Sequence, residues 1–102
     1  MTIEIRETAV DDLADARWFY ESQGGRALGE YLMNSLISDI DSLSLHAGIH
    51  PKKGRYFRML SRRFPHAIYY TLEGDRVEVW RVLDCRRDPK RTDRELDGGM
   101  SD

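Results

Sequence analysis

Apolar and polar residues alternate from Thr2 to Arg6, which places Ile3 and Ile5 on one face and predicts a short half-buried strand. The period then lengthens. Ala9, Leu13, Ala16 and Tyr20 recur at helical spacing, with Thr8 as the expected N-cap and Asp11 and Asp12 in the first turn. Gly24-Gly25 ends the pattern, because glycine readily takes the left-handed conformation of a helix terminus. Leu28, Leu32, Leu36, Ile40 and Leu43 form the stripe of a second helix, flanked by Tyr31 and Ile37 and fading at His46-Ala47-Gly48. The two helices are expected to form an antiparallel hairpin.

Pro51-Lys52-Lys53-Gly54 reads as a turn, and Tyr56–Leu60 and Ala67–Leu72 as aromatic-rich strands. Gly74-Asp75 predicts a tight turn into a last strand, Val77–Leu83, apolar on both sides and so not orientable by pattern. Asp88-Pro89 closes the sheet, and residues 90–102 read as a polar, frayed tail after a single domain over 1–89. The predicted order is β-α-α-β-β-β, an α+β fold with a helical hairpin on one face of a small, mainly antiparallel sheet. The other face is expected to stay open, showing Tyr56, Arg58, Tyr69 and Arg81.

Length supports this picture, since 102 residues can bury a core without staples. Cys85 is the only cysteine, and His46, His50 and His66 do not sit at zinc-ligand spacing with it, so no metal, disulfide or cofactor is expected. No secretion signal or membrane-length apolar run is visible, which points to the cytoplasm. The near-neutral net charge of −2 hides a division. Met1–Ile49 carries three basic against nine acidic residues, and His50–Arg94 carries thirteen basic against six acidic. A basic half interleaved with aromatics suits a polyanionic partner, whether RNA, DNA or an acidic protein.

Several blocks together resemble a known group. They are Asp12-Leu13-Ala14-Asp15-Ala16, Trp18-Phe19-Tyr20-Glu21, Tyr56-Phe57-Arg58-Met59, Arg63-Phe64-Pro65-His66-Ala67-Ile68-Tyr69-Tyr70, and Val77 to Leu83 running into Asp84-Cys85-Arg86-Arg87-Asp88-Pro89. From about Ile3 to Pro89 the chain is similar to the RelE/ParE superfamily of toxins from type II toxin–antitoxin systems, which serve plasmid stabilisation. The resemblance implies a growth-inhibiting toxin neutralised by a cognate antitoxin, within a toxin–antitoxin hetero-oligomer. ParE-like members inhibit DNA gyrase, whereas RelE-like members cut mRNA on the ribosome.

Metal-free RNA cleavage needs proton-transfer groups and cations at the phosphate. His66, Tyr69 and Tyr70 are candidates for the first, and Lys52, Lys53, Arg58, Arg81, Arg86 and Arg87 for the second. The Tyr or His-Tyr pair that RelE-like nucleases place near the chain end has no counterpart in Arg91–Leu96. The reading is therefore a ParE-like gyrase inhibitor rather than an enzyme, with Arg86, Arg87, Lys90 and Arg91 meeting the target and Tyr56, Arg58, Tyr69 and Trp80 meeting the antitoxin. The alternative is a ribosome-dependent endoribonuclease using Arg58, His66, Tyr69, Arg81 and Arg86, and a further one is a non-catalytic RNA-binding domain. Beside these roles stand plainer ones. His66 is read as a surface or hydrogen-bonding residue, Tyr70 as packing, Cys85 as a structural thiol, and Trp80 as either core or exposed anchor.

Overall fold

Ile3 and Ile5 occupy β1 (Thr2–Ile5), the first element of a computed structural model that describes residues 1–100. There follow α1 (Glu7–Gly24), α2 (Arg26–Asp41), a one-turn α3 (Leu43–His46), β2 (Lys52–Lys53), β3 (Tyr56–Leu60), β4 (His66–Glu73), β5 (Arg76–Asp84) and α4 (Pro89–Met100). The strands form one sheet in the order β1-β5-β4-β3-β2. β1 runs parallel to β5, as the long α1–α2 crossover between them permits, and all other neighbours are antiparallel. The α+β architecture is the expected one.

The helical hairpin supplies the main core. Leu13 from α1 and Leu32, Leu36 and Ile40 from α2 pack with Leu43 on Ile68, Tyr70, Val77, Val79 and Val82 of the sheet. Gly25 joins the two helices with φ of 89°, a conformation that a side chain would strain. Between β4 and β5, Gly74 alone takes positive φ, as the first central residue of a type II′ hairpin turn does.

Four local expectations are corrected. Thr8 does not cap α1; the helix starts at Glu7, and the Thr8 hydroxyl donates instead to the Trp80 carbonyl at 2.7 Å. The second helical stripe breaks at Ser42, so Leu43 belongs to α3 and reaches the core from a separate turn. Pro89–Met100, read as a frayed tail, is helical; residues 101–102 of that segment lie outside the described residues. Asp88 caps this helix, accepting the Lys90 N–H on Oδ1 at 2.9 Å, and Pro89 takes the first position, where its missing N–H costs nothing.

The fourth correction follows from the third. The sheet face opposite the hairpin is not open, because α4 lies on it and buries Leu96 with Tyr56, Ala67, Tyr69 and Leu83. A β-bulge decides which residues share that face. Tyr69 pairs with Arg81 and Tyr70 with Val79, so Trp80 is the extra residue. Trp80 and Arg81 therefore stand side by side toward α4, while Val79 and Val82 both point into the main core.

Candidate functional site

β1 ends at Ile5, which leaves the second half of β5 with an unpaired edge that α1 closes. The Arg6 N–H donates to the Val79 carbonyl at 2.9 Å, and Asp12 Oδ2 accepts the Val82 N–H at 2.9 Å. The same carboxylate grips Arg81 in a two-pronged pair, Nε to Oδ2 at 2.7 Å and Nη2 to Oδ1 at 2.9 Å. On its other side, Arg81 donates to Glu95 Oε2 at 3.0 Å and to the Glu95 carbonyl at 3.3 Å. These partners, Asp12 first, hold the guanidinium well above its ordinary pKa. Arg81 is thus a bolt through α1, β5 and α4, committed to two carboxylates.

The remaining cations separate by burial. Arg86, Lys90 and Arg91 are exposed around the start of α4. Arg86 clamps Asp84, Nη2 to Oδ2 at 2.7 Å and Nε to Oδ1 at 3.0 Å, which is the main reason the Asp84 carboxyl sits below its ordinary value. Arg87 turns inward, contacts the Glu95 carboxylate, and keeps a buried Nε without a hydrogen-bond partner. The structure therefore groups three of the four expected target-binding residues on one surface and takes Arg87 away from them.

Arg58 points to the α4 side, where its Nε donates to the Tyr69 hydroxyl at 3.2 Å and its Nη2 approaches Cys85 Sγ at 3.7 Å. Burial pushes the Cys85 thiol up, so it stays protonated at neutral pH, in keeping with a structural thiol. Lys53, Arg58, Tyr69, Cys85, Arg87 and Thr92 line a cavity of about 380 Å³ beneath α4. Tyr56, expected on an open face, is buried and donates its hydroxyl to the Leu96 carbonyl at 2.9 Å. Trp80 is half-buried, donates its indole N–H to Thr71 Oγ1 at 3.0 Å, and carries the Arg6 guanidinium 4.5 Å above its ring.

The proton-transfer candidates lie inside the protein. His66 opens β4 against Tyr20 with its Nδ1 unpartnered, and burial lowers its pKa below the ordinary 6.5. The Tyr70 hydroxyl, on the hairpin side, accepts the Gly48 N–H at 2.9 Å and meets His50 Nδ1 at 2.5 Å. Burial also lowers the His50 pKa, so its neutral ring accepts the tyrosine proton. Neither histidine joins Arg58 at the cavity. Among the described residues, no group of three or more His, Cys, Asp or Glu is placed to hold a metal ion, and no helix is long and apolar enough to cross a membrane.

Sequence reasoning passed over Asp12, Thr92 and Glu95. Asp88-Pro89 was the available signal for the last two, since an Asp followed by Pro is how many helices begin. No sequence signal links Asp12 to Arg81, which is 69 residues away.

Comparison with known proteins agrees with this geometry. No curated protein matches the chain. In fold it is similar to a chain from a structure titled "Chromosomal ParDE TA system from P. aeruginosa", with a TM-score of 0.76 at 15% identity over 82% of this chain and 95% of the other. A family model described as the ParE toxin of the type II toxin–antitoxin system parDE matches residues 3–89, from the first strand to the start of α4. This chain belongs to the ParE toxin family of type II toxin–antitoxin systems.

Proposed function

We propose that this toxin acts in the cytoplasm by inhibiting DNA gyrase, that it does so by occupying protein surface rather than by catalysis, and that a cognate antitoxin neutralises it in a hetero-oligomer. The observation that carries the reading is the burial of every proton-transfer candidate: His66 is 4% exposed, Tyr69 3% and Tyr70 0%. Cleavage of RNA needs such a group within hydrogen-bond reach of the 2′-hydroxyl, and these three are shut away by α1, α4 and the hairpin core. Arg81, the best-placed cation of the nuclease alternative, is held by Asp12 and Glu95.

Exposed Arg86, Lys90 and Arg91 supply the target-facing charge. Of the expected antitoxin contacts, Arg58 and Trp80 keep part of their surface, whereas Tyr56 and Tyr69 meet an antitoxin only where α4 moves aside. The test adds purified toxin, freed of antitoxin, to gyrase supercoiling of a relaxed plasmid and, in parallel, to translating ribosomes. Lost supercoiling with intact mRNA is expected. Cut mRNA with normal supercoiling would overturn the reading, and antitoxin binding that is indifferent to changes at Arg58 and Trp80 would move that interface elsewhere.

A further inference from the structure

The cavity beneath α4 is rich in donors and poor in acceptors. Three cationic side chains line it, from Lys53 of β2, Arg58 of β3 and Arg87 of the β5–α4 connection. Arg58 forms no ion pair with any carboxylate among the described residues; its partners are a phenol and a thiol. By donating to the Tyr69 oxygen, Arg58 leaves the Tyr69 O–H proton for a further acceptor, and Thr92 adds a second hydroxyl. Arg87 brings a buried Nε that lacks any partner, a costly arrangement that a bound anion relieves. Asp84 is the one carboxylate in the lining, and Arg86 already holds both of its oxygens.

We propose that this cavity binds a phosphoryl group carried by a nucleotide or by a nucleic-acid strand, with Arg58, Arg87 and Lys53 as its cations and Tyr69 and Thr92 as neutral donors. A tetrahedral oxyanion fits because these donors converge from β2, β3, β4, the β5–α4 connection and α4, whereas a planar carboxylate presents only two oxygens. At about 380 Å³ the space exceeds a lone phosphate, so the group arrives on a larger body, with Pro51 as an apolar wall. The proposal concerns binding alone and involves no bond cleavage. It is independent of gyrase inhibition, so either idea can fail without the other.

The experiment titrates the full chain by calorimetry with ADP and, separately, with 5′-phosphorylated hexathymidylate, at fixed salt. Saturable binding of at least one probe is expected, weakened about tenfold by Arg58→Gln or Arg87→Gln and unchanged by Arg63→Gln, an exposed cation outside the cavity. Binding of ADP alone identifies a free nucleotide as the source; binding of the oligonucleotide alone identifies a strand. A second readout needs no variant: bound ligand must slow alkylation of Cys85, which is exposed and lines the cavity. Absence of binding by both probes at millimolar concentration, equal weakening by Arg63→Gln, or unprotected Cys85 at saturation would each overturn the site.

Discussion

The two faces of the sheet are covered in different ways. On one, the α1–α2 hairpin buries a continuous set of Leu, Ile, Val and Tyr side chains, and its cohesion is the non-directional hydrophobic effect. On the other, α4 contributes one buried large apolar residue, Leu96, and is otherwise tied by directed polar contacts: Glu95 to Arg81, the Leu96 carbonyl to Tyr56, and Lys53 to Asp93. A core of the first kind tolerates the loss of any one polar group. A cover of the second kind depends on a few atoms, and helices held in that way open locally well before the protein unfolds.

The sharpest test of the contrast compares two truncations of leucine. Leu36→Ala, in the main core, should destabilise the whole protein by about 3–4 kcal/mol, whereas Leu96→Ala should cost about 2 kcal/mol and mainly release α4. Denaturant melts give the totals, and amide exchange in α4 compared with β4 shows where each loss falls. Equal acceleration of exchange in both elements by Leu96→Ala would break the distinction.

Next in size is the bolt that joins the two sides. Asp12→Ala leaves Arg81, whose side chain is 15% exposed, with one carboxylate and the Val82 N–H without its acceptor, so a loss of about 2–3 kcal/mol is expected. Because Asp12 touches both α1 and β5, this variant should speed exchange on both faces; an effect confined to α4 would show that the pair serves that helix alone.

Acid should weaken the protein in two stages. His50 and His66 both titrate below 6.5 in the folded state, so the unfolded chain takes up their protons first, and stability present above pH 6.5 is lost as pH falls through their folded values. Below that, Asp84 and Glu95, lowered from ordinary values of 3.8 and 4.5, remove a second share as they protonate. Melting temperature measured from pH 8 to pH 4 checks the sign, and a rise between pH 7 and 5.5 would contradict it. The smallest effect concerns one hydroxyl. Tyr70→Phe keeps the packing but frees the Gly48 N–H and His50 Nδ1, for about 1 kcal/mol, with faster exchange expected at Gly48.

These contrasts track what could be read before the fold was known. Leu32, Leu36 and Ile40 announced the hairpin because a helix face repeats every three to four residues, and Gly24-Gly25 announced its turn. Arg58, Tyr69 and Cys85 were each noted, yet their meeting at one cavity was not legible, since it depends on the β3–β4 register and on where α4 lands. Tyr56 and Tyr69 looked exposed for the same reason: alternation in a strand assigns a face, but what covers that face comes from another part of the chain.

By itself, then, the sequence determined the order of the main elements, the hairpin's apolar side, the blocks from about Ile3 to Pro89 that resemble the family, and the charge division between halves. These are local, periodic properties, and they survive without knowing any distant neighbour. Only the tertiary structure decided that Trp80 bulges, that Arg81 is taken by Asp12 and Glu95, that His66 is buried, and that Arg58 and Arg87 share a cavity. Each of these depends on side chains far apart in the chain, brought together when α1 closes the β5 edge and α4 folds back over the sheet.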